Sequence, residues 1–247
     1  MLRQIWRKFR AIRSLSPAIT GVVIFIIVAG CHNDKDSGFN EGSSEKTVSL
    51  TFELVLNPLV YQNSAWGDPP QIAIWLRNQA DQSIRTVTVT YRTAACDWIG
   101  KIECSVALPY WVTFYNKQTQ TKGPPTWDSP LPDAVTCATP KAELIKGIEV
   151  SGGTRWEYFI EVNVSGDFNL NFPRFSSDGV SDTYGNGQPS LVYHGWIDSA
   201  KGSITQPQLL GRTDQYAPVD NIINDMEGIT TAAKLLNKIY VSCRVKQ

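Results

Sequence analysis

Val48-Ser49-Leu50-Thr51-Phe52-Glu53-Leu54-Val55-Leu56 alternates apolar and polar side chains over most of its length and stops at Asn57-Pro58. A period of two sends successive side chains to opposite faces of an extended chain, so this stretch reads as a half-buried β-strand. Outward from it the same pattern recurs. Residues 71–76 and the β-branched 84–91 are joined by the polar Asn78-Gln79-Ala80-Asp81-Gln82-Ser83, a hairpin with a longer loop. Residues 156–164 read as a central strand, and 108–115, 168–172, 189–197 and 239–245 as further strands. Helical spacing is confined to Ala232, Leu235, Leu236 and Ile239, a short helix near the C-terminus with Thr230 or Thr231 as its cap. Two apolar sheet faces must bury one another, which makes the expected fold all-β: a β-sandwich, immunoglobulin-like or related.

The chain has 247 residues, 42% of them hydrophobic, with 23 Lys and Arg against 23 Asp and Glu. That composition suits a folded globular domain and lacks the surplus of basic residues that phosphate neutralisation demands, so no nucleic-acid partner is expected. There are 2 histidines, His32 and His194, which leaves little room for a histidine-based metal site or a Ser-His-Asp triad. No catalytic constellation is visible. The expectation is a protein that is not an enzyme and holds no metal.

Arg3, Arg7, Lys8, Arg10 and Arg13 precede an apolar run from Ala18 to Gly30 with no acid among them. This run is too short for the roughly 20 residues a spanning helix needs, and residues 1–30 read as a signal peptide. Val28-Ala29-Gly30-Cys31 resembles a bacterial lipobox, which makes Cys31 the lipidated residue and the lipid the membrane contact. His32 stands where inner-membrane retention favours Asp, so the expected location is the outer membrane, facing the periplasm. Residues 31–47, rich in Gly, Ser and charge, read as a flexible tether, and 48–247 as a single domain. Removing the signal leaves the mature chain mildly acidic.

Cys96, Cys104, Cys137 and Cys243 remain in an oxidising compartment, where an even number favours disulfides. Cys96 with Cys104, flanking Asp97-Trp98-Ile99-Gly100-Lys101-Ile102-Glu103, is the expected pair; Cys137 with Cys243 is the weaker one.

After a loop containing Pro124, Pro125, Pro130 and Pro132 comes Asp133-Ala134-Val135-Thr136-Cys137-Ala138-Thr139-Pro140. This segment resembles the acceptor motif of proteins modified by a flavin transferase: Asp, two variable residues, Ser or Thr, usually Gly, then Ala-Thr. By position, Asp133, Thr136 and Ala138 match the motif and Thr139 is the residue to which the resemblance assigns covalent FMN. Cys137 stands at the usual Gly, a departure that costs on the order of 1 kcal/mol if the backbone there is left-handed. Pro140-Lys141 follows where another hydroxyl residue is common. A turn closed by Asp133 and Thr136 is the competing reading.

With residues 73–76, 84–87, 108–111, 187–193 and 228–232 in the same order, the chain resembles the exported family named domain of unknown function 2271. The resemblance covers roughly residues 48 to 245. It implies association with a flavin transferase and with a membrane flavin or haem reductase. Among seven tryptophans of the domain, Trp75 and Trp156 are expected in the core, and Trp127, set among prolines, as the flavin neighbour. His194 is expected to be structural. Together these readings anticipate a lipid-anchored redox carrier bearing FMN in a periplasmic electron-transfer system. The alternative is a cofactor-free binding or assembly module for a glycan, peptide or partner protein.

Overall fold

The computed structural model describes residues 46–104, 107–175, 185–214 and 221–245. The signal segment, Cys31, His32 and all but the end of the tether lie outside the described residues. Two sheets face one another. The four-stranded sheet has the order β5(Glu143–Ser151), β1(Thr47–Leu56), β10(Leu236–Val245), β8(Ser203–Thr205). The six-stranded sheet has the order β4(Thr136–Cys137), β3(Ile84–Thr90), β2(Gln71–Asn78), β6(Arg155–Asn163), β7(Leu191–Asp198), β9(Gln208–Arg212). All neighbours are antiparallel except β3 and β4, which are parallel.

β1 sits between β5 and β10 and shows why its alternation was readable: Val48, Leu50, Phe52, Leu54 and Leu56 are buried, while Ser49, Thr51 and Glu53 are half-exposed on the other face. The central strands of the larger sheet are buried on both faces. Ile72, Ile74 and Leu76 of β2 and Tyr158, Ile160 and Val162 of β6 join the core between the sheets. Ala73, Trp75 and Phe159 join a second core on the outer face, under α3(Pro109–Thr119), the helix that follows the short α1(Pro58–Gln62) and α2(Tyr91–Ala95). The fold is therefore a β-sandwich with one sheet covered on its outside by a helix.

That helix corrects the strand expected at 108–115. Pro109 opens it at a position where a missing N–H costs nothing. Glu161, reaching from β6, accepts the next two orphan amides, Tyr110 N at 3.2 Å and Trp111 N at 2.6 Å. A side chain fifty residues away thus supplies the cap, and Trp111, Val112 and Tyr115 turn inward at helical spacing.

Near the C-terminus the expected helix shrinks to a 3-10 turn, Ala232–Lys234, and Leu236 and Ile239 belong to β10. The strand expected at 168–172 is replaced by a turn in which Asn169 Oδ1 accepts from Asn171 N and Phe172 N, both at 2.9 Å. β5 is an edge strand carrying Glu143, Lys146 and Glu149, and Arg85 of β3 donates to the carbonyl of Glu149 at 3.0 Å, linking the two sheets along that side.

Trp66 is held by Phe168, edge-on at 5.6 Å, and by two glycines, Gly166 and Gly185. Gly185 adopts φ +68, and a Cβ there would fall inside the indole of Trp66. Gly185→Ala is expected to destabilise the domain by about 2 kcal/mol, from left-handed strain and forced displacement of the ring. Urea unfolding checks this; a loss below about 0.5 kcal/mol would contradict the packing.

Candidate functional site

Asp133 to Thr139 forms a strap on the edge of the six-stranded sheet. A turn opens it: Val135 N donates to Pro132 O at 3.1 Å, Thr136 N to Asp133 O at 3.1 Å, and the Thr136 hydroxyl to Pro132 O at 3.1 Å. Thr136, not Asp133, therefore supplies the side-chain closure of the turn. β4 follows, with Val89 paired to Thr136 and Thr90 to Cys137. Val89 N also donates to Val135 O at 2.8 Å, and beyond the strap the Tyr61 hydroxyl donates to Lys141 O at 2.9 Å. The strap is fixed at both ends.

Period two within β4 explains how its side chains divide. Cys137 packs into the core between the sheets, and burial pushes its thiol above the ordinary range. Its φ is not left-handed, so the usual Gly is replaced here by an ordinary extended residue without backbone strain. Ala138 is exposed, Thr139 half-buried and Pro140 buried. Among the described residues, none exchanges a hydrogen bond with the Thr139 side chain.

A cavity of about 500 Å³ opens beside the strap, lined by Tyr91, Arg92, Asp133, Thr136, Cys137, Ala138 and Thr139. The motif residues Asp133, Thr136, Ala138 and Thr139 are thus brought together around one opening. Tyr91 and Arg92 begin α2(Tyr91–Ala95), immediately after β3, so the parallel β3–β4 pairing carries them to the strap. Arg92 is oriented by Asp68, 3.2 Å away, which also takes Lys101 Nζ at 2.7 Å. Tyr91 is 46% exposed and donates to Asp97 Oδ2 at 2.9 Å. That hydrogen bond, with the charges of Asp97 and Asp133, holds its phenol above the usual range.

Trp127 is 61% exposed at the tip of a small turn, where Thr126 and Ser129 bridge, and it does not line the cavity. Tyr91 is the aromatic residue that does. The Pro-rich loop gives Trp127 its exposure, but the turn directs it elsewhere. Nor is the Cys96–Cys104 disulfide formed; among the described residues no disulfide is present. Cys96 ends α2 in a left-handed conformation, whereas Cys104 is buried in the outer core with its Sγ 3.7 Å from Ile102 O and 3.9 Å from Gly185 O. Cys137 and Cys243 both pack in the inter-sheet core without a bond between them.

Away from the strap, His194 Nε2 lies 2.7 Å from Glu157 Oε1, and the other carboxylate oxygen of Glu157 is paired with Arg77. Phe159 stacks beside the imidazole at 5.0 Å. Arg77 thereby neutralises the buried carboxylate and His194 adds a hydrogen bond to it, a structural role for His194. Tyr91 and Arg92 are the site residues that local reading missed; the only sign of them is an aromatic-cation pair at the end of a β-branched run.

Comparison with protein-family models, with curated proteins and with solved structures finds no match to this chain.

Proposed function

We propose that this chain is an exported, lipid-anchored carrier that holds FMN as a phosphoester on Thr139 and passes electrons between exported redox partners. The observation that carries this reading is the position of Thr139, on a fixed strap at the rim of a cavity of about 500 Å³. That volume falls within the roughly 300–1,000 Å³ of small-molecule and cofactor sites. The lining suits the group: Arg92 offers a guanidinium for a phosphate, and Tyr91 an exposed ring for a flat heterocycle.

FMN, when bound, supplies reversible electron transfer, and the protein supplies attachment and orientation. A threonine hydroxyl is a weak nucleophile, so its activation falls to the flavin transferase. Attachment would join Thr139 Oγ to the FMN-side phosphorus of flavin adenine dinucleotide as the pyrophosphate bond breaks, with AMP leaving and the hydroxyl proton passing to the transferase's base. Thr139 is suited to that encounter because no hydrogen bond occupies its side chain among the described residues. Cys31 supplies the lipid anchor, and a membrane flavin or haem reductase is the partner that loads the carrier.

Co-expression with the flavin transferase is expected to add the mass of one esterified FMN, located by peptide mapping to Thr139. Thr139→Ala is expected to abolish the adduct and Asp133→Ala to reduce it, with the fold unchanged by circular dichroism. A wild-type chain that stays unmodified and colourless would rule the reading out in favour of a cofactor-free binding module.

A further inference from the structure

The four-stranded sheet is incomplete on one side. β1 pairs with β10 from one end of the strand to the other, but on β10's opposite side β8 pairs only with Val241, Ser242 and Cys243. The chain leaves this sheet directly after Thr205, turning through Gln206-Pro207 into β9 of the other sheet, and Pro207 has no N–H with which to carry the ladder further. Among the described residues, no strand covers the outer side of β10 over residues 236–240. Every second residue of this stretch turns its N–H and C=O that way, along about 17 Å of edge.

The core is open at the same place. A cavity of about 350 Å³ runs along the bare edge, lined by Tyr193, Gln206, Pro207 and residues 236–240. Tyr193, Leu236 and Ile239 pack on the inter-sheet core yet are only partly buried. Leu209 of β9, opposite Tyr193 and so on the same face of its sheet, is 42% exposed. The larger sheet extends past the smaller one here, and apolar side chains stay uncovered where a further strand would lie. Lys238 lines the opening and Lys234 sits one short turn before it; both are exposed, and among the described residues neither forms an ion pair. Glu53, the acid opposite Tyr240, belongs to β1 and so lies on the far side of β10 from this edge.

We infer that this edge is the docking site for an extended segment of a partner protein, which adds a strand beside residues 236–240 with apolar side chains toward the inter-sheet opening and acidic ones toward Lys238. Main-chain hydrogen bonds supply affinity in this mode, and pockets for alternate side chains supply specificity. The apolar residues of the segment cover Tyr193, Leu236 and Ile239, which completes the core where the sheet stops short. The two lysines select acid over base. A second copy of this chain is the wrong occupant, because antiparallel pairing of two such edges brings Lys238 of each copy against the same basic stretch of the other. β8 has an outer edge of its own, but of three residues against the five that β10 offers. The site is independent of Thr139, which follows β4 at the opposite margin of the six-stranded sheet.

The test titrates the full chain with a fluorescein-labelled peptide, acetyl-Asp-Val-Glu-Val-Thr-Val-amide, read by anisotropy and by amide NMR. A Kd of about 10–100 μM is expected, with amide exchange slowed at residues 236–240. Grouping the three valines together destroys the alternation and is expected to weaken binding about tenfold. Of two forms N-methylated along one edge or the other, one is expected to bind and the other to fail, since only one edge of the peptide pairs with β10. Lys238→Glu is expected to weaken the acidic peptide about tenfold and to favour Lys-Val-Lys-Val-Thr-Val in its place. Lys238 is exposed, so this variant should melt within about 2 °C of wild type. Thr139→Ala is expected to bind as wild type does. Any of these results would overturn the site: no binding at about 1 mM peptide, equal binding of both methylated forms, an unchanged charge preference in Lys238→Glu, or protection at Ser203–Thr205 in place of residues 236–240. A chain that dimerises through β10 and shuts the peptide out would overturn it as well, and would assign the edge to a second copy.

Discussion

Glu161→Gln is expected to flatten the pH dependence of stability. Glu161 is fully buried in β6, where burial raises its pKa from 4.5 to about 7 against the lowering effect of Ser190 Oγ and the amides of Trp111 and Tyr110. The folded protein therefore keeps a proton that the unfolded chain has released between those two values. Stability from this group is complete below about pH 4.5, falls as pH rises, and is lost above about pH 7, by about 3 kcal/mol in all. The neutral acid has a place for its proton: Oε1 lies 2.6 Å from Ser190 Oγ, which is 2.7 Å from Thr213 Oγ1. Ser190 then turns to donate to Thr213. Glutamine keeps two contacts of that neutral form, its amide donating to Ser190 and its oxygen accepting Trp111 N, and gives up the longer one from Tyr110 N, a loss that does not vary with pH. Urea unfolding at pH 5 and pH 8 should show the difference between wild type and variant moving by about 2.5 kcal/mol toward the variant. A difference that is constant with pH would mean that Glu161 stays ionised throughout.

The second large effect is at Trp75, which is fully buried and stacks on Phe159 at 5.2 Å with Phe114 and Tyr110 at 5.4 and 5.9 Å. Trp75→Ala empties the centre of the outer core and is expected to cost about 3–5 kcal/mol. Trp75→Phe should cost much less, within about 1 kcal/mol of wild type, for a specific reason. The Trp75 Nε1 donor is buried with no acceptor among the described residues. Such a donor costs about 1–3 kcal/mol, and phenylalanine removes it while keeping most of the stack. Equal losses in the two variants would show that indole volume, rather than the stranded donor, decides the energetics.

The elements legible in the sequence are those whose faces differ in environment. β1 alternates because one side meets the core and the other meets solvent, and the hairpin of β2 and β3 carries β-branched residues on both arms. β5 carries no clear strand signature because an edge strand tolerates Glu143, Lys146, Glu149 and a glycine, which blur the apolar pattern. α3 has the local signature of a strand because its aromatic and β-branched residues favour one, whereas its amides are capped by Glu161 from a distant strand. Leu108, Trp111, Val112 and Tyr115 do hold helical spacing behind Pro109, a signal present but outvoted. At the candidate site the strap is a local pattern and could be read as one. Tyr91 and Arg92 reach it only through the parallel pairing of β3 with β4, which no short-range feature encodes. The cysteine spacing failed for the same reason: Cys104 is drawn into the outer core by its neighbours, away from Cys96.

Arg85, lying across from one sheet to the carbonyl of Glu149, has a consequence for molecules crowded on a surface. A naked outer strand invites a neighbour's backbone to zip onto it and so to seed fibrils. Here an acceptor on that rim is already taken by a guanidinium, and Lys146 and the two glutamates repel what remains. Pairing of a second chain along β5 is disfavoured at Glu149 by the same contact that ties the two layers of the domain together.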